Sequence, residues 1–503
     1  MRQRIKAAKR RARAVFRPKT VKMTSNPTIP PTDAPPAQPE TETEEVDEEY
    51  ITESITYPRF MIPNLYTGPP PVADVLGTHT SQLQQETVDV CLPFLSAEDE
   101  KTTYNIHGVP SLLRKNHITF LRKTIRPMPA GFISADASRP WFLYWALAGL
   151  GILGDDVSDL RQAVASTARS MQNESGGFGG GAGQLSHLAT TYAIVLSLAI
   201  VGGEEALEVI DRRAMWKWLN RLKQPDGGFQ VCVGGEEDIR GAYTASVVIT
   251  LLNLPLDLTP ESPAYKADGS MNLLSDVADY VRRCQTYEGG ISGQPDSEAH
   301  GAYAFCALAC LALLDDPRRI IPKYLNLPRL ISWLSARQYA PEGGFSGRTN
   351  KLVDGCYSHW VGGCFPLIEA CLRPLDGASA STKLPVASES LFNREGLIRY
   401  ILCCCQDQGR RGGLRDKPGK MSDSYHTCYV LSGLSSAQHQ WDLAPPPAGD
   451  GADPVWTVLP YLDDGGVQVF EQQDLVRPIH PVYAIPPRVQ EETRAYFLGK
   501  GGF

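Results

Sequence analysis

The chain has 503 residues, 42% of them hydrophobic and 21% charged, a composition that allows a large globular core. A net charge of −7 gives no general affinity for nucleic acid, and no run of eighteen apolar residues is present to span a bilayer. The twelve cysteines, three of them adjacent at Cys403, Cys404 and Cys405, follow no small secreted framework and read as reduced thiols of a cytoplasmic protein.

Residues 1–22 carry ten Lys/Arg and no acid, and residues 23–58 carry nine Asp/Glu and no base. Such charge segregation predicts a disordered tail, taken here to cover residues 1–83, with the ordered domain over 84–503. Periodicity then predicts helices over 84–92 and 109–124 and a loop over 127–140.

A repeat follows. Five glycine turns match one another at Gln172–Phe178, Gln224–Phe229, Gln285–Ile291, Gln338–Phe345 and Gln406–Leu414, and their glutamines are 52, 61, 53 and 68 residues apart. A period near fifty is that of a closed or stacked array. An amphipathic segment precedes each turn (215–222 and 330–337 are examples). A nearly all-apolar segment follows each: 192–201, 243–254, 303–314, 360–372 and 429–437. Helices of the first kind shield helices of the second, so the fold expected is all-α, an α/α barrel of helical hairpins with Gly-Gly-Phe turns. The Pro-, Ser-, Gly- or Asp-rich insertions 256–271, 374–390 and 442–466 are expected as surface loops.

An aromatic opens each inner segment at nearly constant register: Tyr192, Tyr243, Tyr303, Trp360 and Tyr429. One turn earlier stand Arg240, His300, Tyr357 and His426. In a barrel these residues gather at one rim, and a layer so polar is expected to face a ligand. The segment 343–360 joins a glycine turn to Arg348, Lys351, Asp354 and Cys356, cations suited to a phosphate and an Asp-x-Cys pair suited to zinc.

These stretches, with 136–145, 235–240, 298–306, 347–357, 416–420, 425–429 and 480–483, resemble the protein farnesyltransferase β-subunit family over roughly residues 134–490. The resemblance implies an α/α barrel that works with a separate α subunit and transfers farnesyl from farnesyl diphosphate to the cysteine of a C-terminal CaaX motif through a zinc-bound thiolate. It assigns Asp354, Cys356 and His426 as zinc ligands. His300, Arg348, Lys351, Tyr357 and Lys420 fall to the diphosphate, and Asp416 to a magnesium ion. Tyr243, Tyr303, Trp360 and Trp141 would line the isoprenoid wall, where the bulk of Trp141 favours fifteen carbons over twenty. Trp141, Trp145, Arg240 and Tyr425 would receive the substrate's C-terminal side chains. Ala302 departs from the family's usual glycine, and His187, His359 and His439 are expected to be structural or exposed. The alternatives are a geranylgeranyltransferase type I β subunit, disfavoured by Trp141 and Asp416, and a terpene-cyclase-like barrel, which would need an Asp-rich acid motif that this chain lacks.

Overall fold

Six apolar helical elements stand side by side around one axis in the computed structural model, which describes residues 59–128, 130–373, 390–444, 455–461 and 468–501. They are Arg139–Leu153, Leu188–Val201, Ile239–Leu251, Gly301–Leu314, the interrupted pair Tyr357–Trp360 and Cys364–Cys371, and Ser424–Gln438. Each packs on the next, and the last returns to the first, so the ring is closed. Outer helices Arg114–Thr124, Arg161–Met171, Arg212–Leu222, Val277–Arg283, Leu327–Ser335 and Arg394–Arg399 alternate with them in sequence, the last running on as a π turn over Tyr400–Cys405.

The two classes follow from side-chain pattern. In Leu188–Val201 every residue but Ala189 is buried, leaving no solvent face, so the helix is covered on all sides. In Arg212–Leu222 the buried Met215, Trp218, Leu219 and Leu222 recur at helical spacing and form one stripe. Each such large apolar side chain contributes about 1.5–3 kcal/mol by leaving water.

The glycine turns are the joints between repeats. Each forms a single antiparallel bridge, as Gln172 with Phe178 and Gln406 with Leu414. At Gly227 φ is +103°, and a Cβ there would lie 2.0 Å from the Asp276 carbonyl oxygen at the entry to the next outer helix. Gly412 repeats the arrangement against the Asn116 carbonyl, 2.6 Å from its would-be Cβ, and so joins the last turn to the first outer helix. The glutamines add side-chain bonds: Gln172 donates to Val209 O (2.8 Å) and accepts from Asp211 N (3.0 Å). Gln338 does the same with Asn393 O and N, both at 2.8 Å. Gln406 accepts from Leu113 N (2.8 Å) and donates to Ser111 O (3.2 Å), across the seam of the ring. Gln224 makes no such bridge among the described residues; Lys223 Nζ donates to Ser275 O (2.7 Å) in its stead.

The inner helices begin at one level. Leu188 N donates to Val231 O, Ile239 N to Gly293 O, Gly301 N to Gly347 O and Gly355 N to Asp416 O, at 2.7–2.9 Å, so each start is stitched to the next repeat's loop. Side chains of His187, Asp238, His300 and Asp423 cap four of these starts. The segment 480–485 is tied to the inner ring, where Tyr144 and Tyr243 hydroxyls donate to Ala484 O (2.9 Å) and Val482 O (2.8 Å).

Several expectations change. The tail boundary at 83 is too late: Tyr66 is buried and its hydroxyl bonds Asn393 (3.2 Å), and the first long helix is His79–Leu95. The loop over 127–140 holds 3-10 turns over Ala130–Ser138, interrupted at Ala135. The inner helices start before their aromatics, because the capping residue lies nearly a turn upstream. The segment 360–372 is not one helix but is broken between Trp360 and Cys364. Part of the insertion 442–466 is not loop: His439–Ala444 pairs antiparallel with Val455–Pro460, burying Trp441. Segment 256–271 carries no helix or strand and is pinned by a bridge from Asp257 to Asn272. Insertion 374–390 lies, but for Ser390, outside the described residues, as do residues 1–58.

Candidate active site

Asp354, Cys356 and His426 meet at the rim, their ligand atoms all within 4.8 Å of one another. Two repeats supply them. Gly355 has the Arg415 carbonyl oxygen 2.7 Å from its would-be Cβ and donates to Asp416 O (2.9 Å), so the Asp-Gly-Cys segment lies flush against the strand-like stretch that leads to His426. His426 Nε2 meets Asp354 Oδ1 at 3.1 Å, and Nδ1 meets Asp423 Oδ2 at 2.7 Å. Burial alone would lower the His426 pKa, but its bonds to Asp354 and Asp423 prevail and push it up to about 12. Burial pushes the Cys356 thiol up to about 12. Burial also disfavours the Asp354 carboxylate, yet the His426 bond holds its pKa below the ordinary value. A carboxylate, a thiol and an imidazole make three donors, the set of a zinc site that keeps its fourth position for a substrate. The residues therefore fit the ion.

Asp423 was not singled out from the sequence. It caps Ser424–Gln438 through His426 N (2.7 Å) and with its other oxygen orients the His426 ring, the usual place for a carboxylate behind a metal-binding histidine. Its readable signal was an Asp just before an apolar run.

Beside this corner, Ala302 N–H donates to His300 Nδ1 (3.0 Å), which leaves the neutral ring's hydrogen on Nε2, 3.2 Å from the Tyr357 oxygen. Burial, with the Arg348 charge, pushes the His300 pKa down to about 4, so the ring is neutral. His300 then donates to Tyr357 and frees the phenolic hydrogen for a ligand. Arg348 Nη1 is held by Glu298 at 2.7 Å. Lys351 and Lys420 are exposed, and neither ammonium has a partner among the described residues. Asp416 lies within electrostatic reach of Asp354 and His426, and Lys417 Nζ is 2.5 Å from its Oδ1.

The axial aromatics close into a collar. Trp145 stacks on Trp141 (5.6 Å between centroids), Trp141 reaches Tyr192 (6.0 Å), Tyr192 Tyr243 (5.7 Å) and Tyr243 Phe305 (5.9 Å). Phe305 meets Trp360 (5.7 Å), Trp360 Tyr429 (4.5 Å), Tyr429 Tyr425 (4.9 Å), and Tyr425 returns to Trp145 (5.4 Å). All six inner elements contribute, and Trp360 Nε1 donates to Tyr425 OH (3.1 Å). Tyr303 is outside this collar: it packs on His300 (5.3 Å), and Phe305, which the sequence reading passed over, takes its expected place. Arg240 is exposed and paired with Asp238. A separate open groove of about 550 Å³ runs past Ile125, Phe132 and Phe142 and holds none of the expected site residues.

The family model described as the prenyltransferase alpha-alpha toroid domain matches residues 112–485. A protein farnesyltransferase subunit beta from Pyricularia oryzae is 61% identical over 445 residues, 88% of this chain and 85% of that protein. The chain belongs to the protein farnesyltransferase beta-subunit family. A second member, from Schizosaccharomyces pombe, is 38% identical over 84% of this chain and 98% of its own length. Candida albicans protein geranylgeranyltransferase-I complexed with GGPP has a similar fold at a TM-score of 0.57 and 20% identity, over 77% of this chain and 99% of that one. The α/α barrel expected from the repeats is thus the family's toroid.

Proposed function

We propose that this chain is the catalytic subunit of a zinc-dependent protein farnesyltransferase that works with an α subunit and alkylates the cysteine of a C-terminal CaaX motif. The convergence of Asp354, Cys356 and His426 beside a cationic rim and above an aromatic collar is the observation that carries this reading. The three ligands would hold zinc, which when bound lowers a substrate thiol's pKa from about 8.5 and supplies thiolate at neutral pH.

The rest is work for the chain's own side chains. Tyr357, freed as a donor by His300, would face the leaving diphosphate together with Arg348, Lys351 and Lys420. Charge builds on that group as the C–O bond breaks, so these contacts strengthen towards the transition state. Asp416 would supply the carboxylate for a magnesium ion, as suits an ion bound through one carboxylate and phosphate oxygens. Tyr243, Phe305, Trp360 and Trp141 would line the isoprenoid, while Trp145, Tyr425 and Arg240 would meet the peptide's end. All twelve cysteines are free, which supports a reducing cytoplasmic setting. The names of the relatives and the bulk of Trp141 favour farnesyl over geranylgeranyl.

The test is zinc content of the complex with its α partner, native and Cys356→Ala, beside transfer from fifteen- and twenty-carbon diphosphates. One zinc per chain, lost on substitution, with the shorter lipid preferred, is expected. Preference for the longer lipid would move the chain to the geranylgeranyl branch, and absence of zinc would end the mechanism.

A further inference from the structure

Cys403, Cys404 and Cys405 lie in the π turn that continues the last outer helix, a run with no part in the chemistry proposed above. The first and last residues of that turn, Tyr400 and Cys405, meet at one atom. The Tyr400 hydroxyl donates to Asp416 O at 2.9 Å, and Cys405 Sγ donates to the same oxygen at 3.5 Å. On an α-helix, residues five apart point about 140° away from each other around the axis and cannot share a target. In a π turn, whose bonds join residues five apart, they stand one above the other. The turn also grips the preceding residue: Cys405 O accepts from Arg415 N (2.8 Å) and Cys404 O from Arg415 Nε (3.2 Å).

What this grip holds is the proposed zinc corner. The Asp416 carbonyl that takes Tyr400 and Cys405 also accepts from the N–H of Gly355 (2.9 Å), the residue between Asp354 and Cys356. Tyr400 is fully buried, and its ring fills the space of the Cβ that Gly344 lacks, 2.7 Å from that position. The hydroxyl is thus presented from a packed ring. We infer that Tyr400 is a positioning residue for the metal: with Cys405 it sets the place of the Asp416 carbonyl and, through Gly355, the spacing of Asp354 and Cys356. An α turn over the same residues would take one of the two donors away from that oxygen. The inference rests on the reading of Asp354, Cys356 and His426 as zinc ligands.

The experiment is zinc affinity of the complex of both subunits, by competition with a chromophoric chelator. Beside it stands the visible absorption of the Co²⁺-substituted complex, which reports ligand geometry. Tyr400→Phe keeps the ring and removes the donor; it should weaken zinc about tenfold and shift the Co²⁺ bands. Cys405→Ala should weaken zinc about threefold, since a thiol is a weak donor, and it carries the test if Tyr400→Phe does not fold. Tyr144→Phe is the matched control, because its buried hydroxyl also donates at 2.9 Å to a backbone carbonyl, that of Ala484. It should lower the denaturant midpoint as Tyr400→Phe does and leave zinc affinity and the Co²⁺ bands unchanged. Zinc affinity unchanged in Tyr400→Phe and Cys405→Ala, with zinc lost from Cys356→Ala, would overturn the inference and leave the zinc site standing. A loss in Tyr144→Phe as large as in Tyr400→Phe would overturn it too, as an effect of general stability. Zinc retained in Cys356→Ala would remove the zinc site and the inference with it.

Discussion

Two inner elements, Leu188–Val201 and the stretch 354–371, hold equivalent places in the ring and differ in almost everything else. The first is an unbroken helix, capped by His187 and buried along its length. The second has Cys356 at its capping position, makes no side-chain cap, lasts one turn to Trp360 and resumes only at Cys364. Where the cap position is taken by Cys356, one of the three proposed zinc ligands, the helix has no side-chain cap. The neighbouring contacts of Gly355 with the 415–416 stretch then hold the segment in place. The interrupted element is free to hold the proposed zinc ligands because the intact ones around it carry the architecture.

Substitutions made in pairs separate the two roles. The largest effect is expected at Asp354: Asp354→Ala removes a proposed zinc ligand and the His426 partner together, and transfer should fall at least about 1000-fold with loss of zinc. Its contrast is Thr191→Ala on the intact helix, where a hydroxyl that accepts from Phe178 N (2.9 Å) is lost. That change should cost about 1–2 kcal/mol by denaturant unfolding and leave zinc in place.

Next come the joints. Gln406→Ala loses bonds to Leu113 and Ser111, the His117 ring contact (3.0 Å) and the bond to Leu402 O, and should cost about 3 kcal/mol. Gln224→Ala, whose bridging role belongs to Lys223, should cost under about 1 kcal/mol; equal losses would mean that the seam is no different from any other joint. Asp423→Ala should weaken zinc about 10- to 100-fold in a chelator competition, while His187→Ala, which removes only a cap, should not move it.

The smallest effect is a gain. His359 is buried between Phe305, Trp360 and Tyr429 with neither ring nitrogen bonded among the described residues, and burial pushes its pKa down to about 3. Its folded form is neutral, so below pH 6.5 the unfolded chain takes the proton and stability falls as pH drops towards 3. His359→Phe should add about 1 kcal/mol at pH 7 and more at pH 5; an equal gain at both values would contradict the buried neutral ring.

Much of this was legible because the repeat is written in residues with single uses. A Gly-Gly pair after a glutamine, followed by an all-apolar run, leaves few folds other than a ring of hairpins, and Asp354, Cys356 and His426 fell in register with it. The choice between Tyr303 and Phe305 was not legible. Both lie on one helix, and only the His300 cap, which starts that helix at Gly301, turns Phe305 to the collar and Tyr303 against His300. The strands His439–Ala444 and Val455–Pro460 were hidden by the proline- and glycine-rich segment between them, which reads as loop and masks the alternation on either side. Lys417 drew no notice because a lysine beside an aspartate is ordinary until the lysine is buried.

The bond from Leu113 N to the Gln406 side chain joins residues 293 positions apart. An open solenoid can grow from one end and protect its last repeat with a polar cap. A ring has no last repeat. During synthesis the outer helix Arg114–Thr124 leaves the ribosome long before its partners at 406–414, so the first-made half of the collar waits with aromatic faces uncovered. Assembly of this chain is therefore a late, all-or-none event, and a ribosome stalled anywhere before the final inner helix should hold a strong client for chaperones.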